Sequence, residues 1–352
     1  MVSLESRYGL ATKSYDEWRH LWLENPAYQE CGPDWPIGWV VEDRDKRIVA
    51  SLGNIPLLYV FEGTRILACS GRALVAEPQH RGASLLLLDR LINHSDAGLY
   101  LNNTVGLESA ESFGLFGCPR VPVGAWDRAA FWVTHYHEFF EAFMSSLIPR
   151  AAKPLSYPIS AAAFLRDRLI ASGLGRNDVE VQCCRTFDCR FDCFWDELSA
   201  AFPHLLLAVR TANTLAWHFK YALLQDKLWI ATVSDRSRLV AYAIFERKDT
   251  NSPAVRLRRM RLVEFQSLDG STALLLPILS WALQRCREEG LHLLEVVGRW
   301  LEKGELLNSL APYHRNLSTW TFFYRANYPA LARRLADRSA WAPSLYDGDA
   351  TL

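Results

Sequence analysis

One segment of this sequence occurs twice in related form. LVAEPQHRGASLLLL, which begins at Leu74, aligns without a gap with LVEFQSLDGSTALLL, which begins at Leu262. Each copy passes from a β-prone run, through polar residues and a glycine (Gly82 and Gly270), into a run rich in leucine. This pattern predicts a strand, a tight turn and a helix in each copy. A chain of 352 residues has room for two domains, so the repeat predicts two domains of the same topology.

The apolar patterns around the repeat predict the fold class. Strand-like runs at 38–42, 47–61 and 65–75 lead into the first copy, and the run 99–101 follows it. Antiparallel strands followed by a strand–helix–strand unit indicate an α+β fold, with two tandem domains that each have a mixed, mostly antiparallel sheet flanked by helices. The predicted ranges are 1–135 for the first domain, 136–185 for a helical connector and 186–352 for the second domain.

The charges of the chain balance, with 39 Lys+Arg against 39 Asp+Glu. This balance gives no general electrostatic attraction to nucleic acid or to an anionic membrane. The longest apolar run, around Leu85–Leu88, is too short to cross a bilayer, and the N-terminus lacks the basic and apolar stretches of a signal peptide. We therefore expect a cytoplasmic protein that binds neither nucleic acid nor membrane, and any phosphate-binding site has to be local.

Four cysteines, Cys183, Cys184, Cys189 and Cys193, crowd into one short stretch. Their spacing lacks the paired C-x-x-C hooks of a zinc site. Cys183 and Cys184 would also point to opposite faces of a strand. Packed free thiols are the simpler interpretation, and we expect no metal cofactor.

The turn of the first copy has the composition of an anion-binding site. Pro78 ends the strand, and Gly82 permits a tight turn into the helix. The first N–H groups of a helix have no intrahelical acceptor and carry partial positive charge. Small residues at 82–84 let an anion approach the backbone, and Arg81 adds a formal charge. Such a turn suits a pyrophosphate.

This segment resembles motif A of the GNAT (Gcn5-related) N-acetyltransferases, whose pattern is R/Q-x-x-G-x-G/A after a strand. Gln79, Gly82 and Ser84 fall on the motif positions, with Ser84 in place of glycine or alanine. The resemblance implies that acetyl-CoA or another acyl-CoA binds here, with its pantetheine arm against the backbone of the preceding strand. The residues that it implies for the cofactor are Leu74, Val75, Ala76, Gln79, Arg81, Gly82, Ala83, Ser84 and Asn103.

The resemblance also implies an acyl-CoA-dependent N-acyltransferase, most simply an acetyltransferase, acting on a small-molecule or peptide amine. The reaction needs a base to deprotonate the amine. Asn102 at the end of the next strand and Glu108 and Glu111 on the following helix are the candidate catalytic residues. The position that best matches the family's tyrosine is Phe113, which cannot donate a proton. Two alternatives therefore stay open: an inactive protein that binds acyl-CoA or a partner, and a Fem-type aminoacyl transferase, which is also a tandem of this fold.

The second copy lacks the anion-binding features of the first. Ser267 and Asp269 stand where the first copy has Gln79 and Arg81. A carboxylate at the turn would repel a phosphate. We therefore expect that the second domain does not bind coenzyme A.

The C-terminal stretch from Trp341 to Asp349 is unusual for the end of a chain. It contains tryptophan, tyrosine and two acidic residues. A mobile, solvated tail is the general expectation for such a position. The composition also allows the alternative that this stretch docks into the protein.

Overall fold

The structure is a computed structural model. It describes residues 2–8, 10, 13–94, 96–148, 152–170, 179–251, 256–302, 306–317 and 320–352. The α-helices in chain order are α1 (Val2–Arg7), α2 (Tyr15–Leu23), α3 (Pro26–Cys31), α4 (Gly82–Ile92), α5 (Leu107–Leu115), α6 (Tyr136–Leu147), α7 (Ala152–Ile170), α8 (Cys189–Ala201), α9 (Ala212–His218), α10 (Lys220–Leu224), α11 (Leu275–Glu288), α12 (Leu306–Leu310) and α13 (Pro329–Leu335). The strands are β1 (Gly38–Glu42), β2 (Ile48–Phe61), β3 (Thr64–Ala76), β4 (Leu99–Val105), β5 (Arg128–Val133), β6 (Gln182–Cys184), β7 (Leu207–Ala208), β8 (Leu228–Asp235), β9 (Arg238–Arg247), β10 (Thr250–Asn251), β11 (Arg256–Leu257), β12 (Arg259–Ser267), β13 (Leu293–Val297), β14 (Tyr313–Asn316) and β15 (Thr321–Ala326).

Contacts between residues divide the chain into two compact units. Unit 1 consists of Met1–Val123, Phe191–Lys220 and Ser318–Leu352. Unit 2 consists of Gly124–Arg190 and Tyr221–Leu317. Each unit is therefore assembled from segments that lie far apart in the sequence.

Unit 1 is built on a six-stranded sheet in the order β1-β2-β3-β4-β15, with β7 beside β2. β3 and β4 are parallel, and the other pairs are antiparallel. α4 connects β3 to β4, and its buried Leu87, Leu88 and Leu91 belong to one apolar cluster with Leu52 and Tyr100 of the sheet. The leucine run of the first sequence copy is thus the core-facing helix of this unit.

Unit 2 is built on a seven-stranded sheet in the order β14-β5-β13-β12-β9-β8-β6. β12 and β13 are parallel, and α11 connects them. Ile278, Leu279 and Leu283 of α11 share an apolar cluster with Phe245 and Leu262 of the sheet. Both sheets therefore have antiparallel strands leading to a parallel pair, with a helix between the two parallel strands. The predicted α+β class, with mixed and mostly antiparallel sheets flanked by helices, is confirmed.

The strand beyond each parallel pair comes from a distant part of the chain. β15 pairs with β4 in unit 1, and β5 pairs with β13 in unit 2. β5 lies in the predicted range 1–135 and β15 in the predicted range 186–352, so the contacts divide the chain differently from these contiguous ranges. The predicted connector, 136–185, contains α6 and α7 and belongs to unit 2. Strand partners depend on long-range hydrogen bonds and burial, which neighbourhood in the sequence does not reveal.

The two repeated turns differ more than their alignment predicts. Gly82 is the first residue of α4. Gly270 instead has a left-handed φ of 69° and lies several residues before α11. The glycines are therefore not structurally equivalent, and the residue-by-residue match of the turns is wrong although the order of elements is shared. Apolar runs align readily, whereas the polar residues between them do not fix one backbone conformation.

No helix in the ranges given above is both long and apolar enough to cross a membrane.

A buried ion pair holds the C-terminal segment of unit 1, which we define as Ser344–Leu352. One guanidinium nitrogen of Arg210 lies 3.1 Å from both carboxylate oxygens of Asp347, and the other donates to the carbonyl of Ala208 at 2.6 Å. The two side chains are only 1% and 6% exposed. Asp347 also accepts the backbone N–H of Ser344 at 2.7 Å. The ion pair thus ties this segment to the residues that follow β7.

We expect Asp347→Asn to lower the free energy of unfolding by about 3–5 kcal/mol, because it leaves the Arg210 guanidinium buried without its counter-charge. Urea denaturation measures the change. Glu30→Gln is a matched control, since it breaks a 2.6 Å ion pair with Arg65 whose side chains are 46% and 58% exposed. We expect the control to cost about 0–1 kcal/mol. Equal losses for the two variants would contradict a stabilising role for the buried pair.

Candidate functional site

β3 and β4 separate after a short parallel contact. Their ladder joins two residue pairs, Ala68 with Leu99 and Cys69 with Tyr100. Both strands continue well past this ladder, and no further pair joins them in the described residues. We call the space between 70–76 and 101–105 the opening. A wedge of this kind leaves backbone groups on the facing edge of β3 available to a ligand.

Side chains bridge the two strands at the start of the opening. The hydroxyl of Ser70 donates to the carbonyl of Leu101 at 2.8 Å. The amide nitrogen of Asn102 faces the carbonyl of Gly71 at 3.4 Å, and its oxygen accepts the N–H of Thr104 at 3.2 Å. Asn102, a predicted catalytic residue, is half-buried at the opening, with its amide directed to the backbone.

A β-bulge distorts β3 beside the opening. Ser51 of β2 pairs with Val75 and Gly53 with Arg72, so that one residue of β2 faces two of β3. Ala73 has a left-handed φ of 53° at this point. A bulge removes backbone groups from the ladder. An N–H group released in this way can donate to a carbonyl oxygen that gains negative charge during a reaction. The sequence carries no glycine at position 73 that would have signalled this bulge.

The turn before α4 has free donors and open space. No side chain caps the start of α4 in the described residues, and Gly82 there has no atom within 4 Å of the position that a Cβ would take. Arg81 and Gln79 are exposed, and Gln79 donates to Glu77 at 2.7 Å. The hydroxyl of Ser84 donates to the carbonyl of Arg81 at 2.6 Å. The first turn of α4 can therefore receive a phosphate on its N–H groups, with the Arg81 charge beside it.

The other predicted cofactor residues lie along the same path. Val75 and Ala76 pair with β2 on one edge, and within the described ranges no strand pairs with their other edge. Leu74 precedes them beside the bulge. Ala83 buries its side chain in the core under α4, so only its backbone can meet a ligand. This geometry is compatible with a pantetheine arm that hydrogen-bonds to the free edge of β3.

The corresponding turn of unit 2 already holds a carboxylate of its own. One oxygen of Asp269 accepts the N–H of Ser271 at 2.9 Å and the hydroxyl of Ser267 at 2.8 Å. The other oxygen accepts the Ser271 hydroxyl at 2.8 Å. The hydrogen bond from the Ser271 N–H lowers the pKa of Asp269, so the carboxylate stays ionised. Asp269 thus takes the place of an external anion, which supports the expectation that this turn does not bind a phosphate.

Where β12 and β13 separate in unit 2, a buried ion cluster is present. Glu295 is 1% exposed and receives hydrogen bonds from Arg261 at 2.7 Å and Arg315 at 3.0 Å. Arg259 lies 3.5 Å from the same carboxylate. Although burial acts in the opposite direction, the charges of these three arginines hold the pKa of Glu295 below its ordinary value. The last ladder pair of unit 1, Cys69 with Tyr100, has no charged side chain. The ends of the two parallel ladders therefore differ in charge.

The C-terminal segment is bonded to the end of β4. The backbone N–H of Asn103 donates to a carboxylate oxygen of Asp349 at 2.9 Å, and its side-chain nitrogen donates to the carbonyl of Asp347. The side-chain oxygen accepts the N–H groups of Asp349 at 3.0 Å and Ala350 at 2.9 Å. Asn103 is fully buried by these contacts. The predicted contact of Asn103 with the cofactor is therefore not supported, because its polar groups serve the segment instead.

The structure gives little support to the two predicted bases on α5. Glu111 is exposed on α5 and makes no hydrogen bond to any residue that the structure describes. The side chain of Glu108 lies outside the described part of the structure. Phe113 is 3% exposed and stacks on Tyr100 at 6.1 Å and Phe323 at 5.2 Å between ring centres. Phe113 is therefore a core residue, and it supplies no proton donor at that position.

Charged groups that the sequence did not single out lie around the bulge. Arg72 interacts with Asp349, Glu5 and Glu17, and its guanidinium donates to the carbonyl of Leu352. Glu5 of α1 is 2% exposed, and burial raises its pKa although Arg72 opposes the shift. These residues come from α1, α2, β3 and the C-terminal segment. Only the acidic and aromatic composition of that segment could have indicated them.

The four crowded cysteines are separate thiols. Cys183 accepts a hydrogen bond from Arg285 at 2.8 Å, and Cys184 accepts one from Arg190 at 3.4 Å. Cys183, Cys189 and Cys193 are exposed. In the part of the chain that the structure describes, no three His, Cys, Asp or Glu residues are grouped so that they could hold a metal ion.

Comparisons with known proteins bear on the fold. No protein-family model matches the sequence, and no curated protein matches it. A GCN5-related N-acetyltransferase from Anabaena variabilis matches the structure with a TM-score of 0.53 at 12% identity, over 92% of this chain and 69% of that one. A Saccharomyces cerevisiae N-myristoyltransferase with bound myristoyl-CoA matches with a TM-score of 0.54 at 12% identity, over 89% of this chain and 73% of that one.

A GCN5-related N-acetyltransferase from Kribbella flavida gives a similar result, with a TM-score of 0.53 at 10% identity, over 92% of this chain and 67% of that one. At such identities the likeness concerns the fold alone. It agrees with the parallel pair that separates, the helix that begins at its turn and the mixed sheets. The chain has the GNAT (acyl-CoA N-acyltransferase) fold.

Proposed function

We propose that the protein is an acyl-CoA-dependent N-acyltransferase whose co-substrate binds in unit 1. The observation that carries the proposal is the conjunction of the uncapped start of α4, the open space at Gly82 and the opening between β3 and β4. The diphosphate would lie on the α4 N–H groups with Arg81 beside it, and the pantetheine arm would follow the free edge of β3. The thioester would then reach the bulge at Ala73.

The transferred group and the acceptor follow from simpler arguments. Acetyl is the simplest acyl group, and the structural neighbours include both acetyltransferases and a protein with bound myristoyl-CoA. The acceptor would be an amine of a small molecule or a peptide. Acyl transfer to it needs no chemistry beyond proton transfer and stabilisation of an oxyanion. A donor for the oxyanion is available if the bulge presents a backbone N–H to the thioester carbonyl.

A second candidate function is supported by one observation. Phe113 occupies a stacked core position where the GNAT resemblance implies a tyrosine, so α5 supplies no proton donor there. A protein that binds acyl-CoA without transferring the acyl group would have the same phosphate turn. Measurements of binding and of turnover on one sample separate the two functions.

We expect Arg81→Asp to weaken binding of acetyl-CoA by roughly tenfold or more, the scale of one lost charge-assisted hydrogen bond. Isothermal titration calorimetry measures the affinity. The melting temperature without ligand should stay unchanged, because Arg81 is exposed and its side chain makes no hydrogen bond or ion pair with any described residue. Arg44→Asp, at an exposed arginine in the turn between β1 and β2, is the control for the change in net charge. Equal affinities for Arg81→Asp and wild type would exclude Arg81 as a ligand.

We expect Gly82→Val to abolish measurable binding, because its side chain would fill the space in front of the α4 N–H groups. The fold should tolerate it, since Gly82 has no left-handed φ and no described atom lies within 4 Å of the new Cβ. Gly114→Val is the matched control: Gly114 is also a helical glycine with open space at its Cβ. If wild type binds neither acetyl-CoA nor myristoyl-CoA, the proposed function is wrong.

A further inference from the structure

The carboxylate of Asp349 stands at the end of β4, beside the opening. One of its oxygens accepts the backbone N–H of Asn103 at 2.9 Å, and the other accepts the hydroxyl of Thr104. Two donors from consecutive residues of one strand hold the carboxylate in a fixed orientation. The residue as a whole is half-buried.

The backbone around Asp349 is shaped for this contact. Gly348 has a left-handed φ of 105°, and a Cβ there would lie 2.9 Å from the Cγ of Asn103. A side chain at 348 would therefore push the segment away from β4. One residue further back, Asp347 is fixed by its buried ion pair with Arg210. The position of Asp349 thus follows from two anchors and is not that of a loose chain end.

The electrostatic surroundings of Asp349 favour a proton acceptor. Burial raises the pKa of its carboxyl, while the bonds from Thr104 and Asn103 and the charge of Arg72 act in the opposite direction. Among the described residues, the buried hydroxyls of Tyr59 and Tyr100 also interact electrostatically with Asp349. A carboxylate that is oriented by two donors beside the opening, and that burial makes a stronger base than an ordinary aspartate, suits proton transfer from an ammonium group.

Two other carboxylates fit the role less well. Glu111 is exposed on α5 and is not oriented by any hydrogen bond from the described residues. Glu5 is close enough to interact with Arg72, but it is 2% exposed and offers an acceptor amine no accessible surface. Asp349 combines orientation by two donors with a place at the opening.

We propose that Asp349 is the general base of the acyl transfer, and this inference rests on the function proposed above. Asp349 takes one proton from the ammonium group of the acceptor. The freed amine attacks the thioester carbonyl carbon, a C–N bond forms, and the carbonyl oxygen becomes an oxyanion. Collapse of this intermediate breaks the C–S bond. The thiolate of coenzyme A takes the second proton from nitrogen, and Asp349 releases its own proton to solvent.

Asp349→Asn tests the proposal. Asparagine keeps one oxygen for the N–H of Asn103, and its amide nitrogen can donate to the hydroxyl of Thr104, but it cannot accept the proton, so we expect kcat/KM to fall by roughly 10²- to 10⁴-fold. The affinity for acetyl-CoA by calorimetry should not change. Acylated product is measured by liquid chromatography and mass spectrometry with a panel of a primary alkylamine, an arylamine, an aminoglycoside and a peptide with a free N-terminus. Thiol reagents are unsuitable because Cys183, Cys189 and Cys193 are exposed.

Controls distinguish a wrong assignment of Asp349 from a wrong proposed function. Glu30→Gln removes an exposed carboxylate of unit 1 and should leave turnover unchanged. If Asp349→Asn keeps wild-type turnover, or if Glu111→Gln causes the loss instead, the assignment of Asp349 is wrong while the proposed function stands. If wild type binds acetyl-CoA but acylates no amine of the panel, Asp349 is not a base and the binding function is favoured. If wild type binds no acyl-CoA, the proposed function itself fails.

The pH dependence gives a readout that a purely structural role would not change. A base acts only when ionised, so kcat/KM should fall as the pH decreases through the pKa of Asp349. Because burial raises that pKa, the acidic limb of the plot of kcat/KM against pH should lie above the ordinary aspartate value of about 3.9. Thr104→Val removes a hydrogen bond that favours the ionised form, so the limb should move to higher pH. An identical limb in Thr104→Val and wild type would overturn its assignment to Asp349.

Discussion

The buried ion pair between Arg210 and Asp347 is the contact on which the arrangement of unit 1 depends most. Taking two charges out of water costs several kcal/mol per ion, and the cost is offset only when the ions are paired and their other hydrogen bonds are made. Arg210 meets that requirement with the carbonyl of Ala208, and Asp347 with the N–H of Ser344. Because few backbone positions satisfy all these contacts together, the pair fixes the path of the C-terminal segment. The carboxylate of Asp349 is placed at β4 as a consequence.

The two units show how one topology can carry opposite electrostatics at the same element of structure. In unit 1 the turn into α4 is open and has Arg81 beside it, so it can receive an anion. In unit 2 the turn before α11 binds its own Asp269, and the cluster around Glu295 lies where β12 and β13 separate. A shared fold therefore does not imply a shared function, and the difference lies in a few residues at the turns.

In the proposed reaction, different elements on the two sides of the opening bind the acyl-CoA and supply the base. β3 and α4 would hold the acyl-CoA, with the bulge at Ala73 next to the thioester carbonyl. The end of β4 and the C-terminal segment would supply the base. A left-handed residue other than glycine costs roughly 1–2 kcal/mol. Ala73 keeps this conformation inside a long strand, where the pairs on either side determine it. Backbone strain of this kind is often found at functional sites.

The sequence by itself determined the fold class and the turn into α4, because both depend on local patterns. Runs of β-branched and aromatic residues indicate the strands, the leucine runs indicate α4 and α11, and the residues from Gln79 to Ser84 indicate a turn into a helix whose first N–H groups are free. It did not determine the strand partners, since β5 and β15 are placed by hydrogen bonds between residues far apart in the chain. Long-range contacts also explain why the alignment of Gly82 with Gly270 failed. They explain as well why the sequence assigned Asn103 to the cofactor, whereas the structure bonds it to the C-terminal segment. Tertiary structure alone brought Asp349 to Thr104, because that contact depends on a buried ion pair and a left-handed glycine, which act together only in the folded chain.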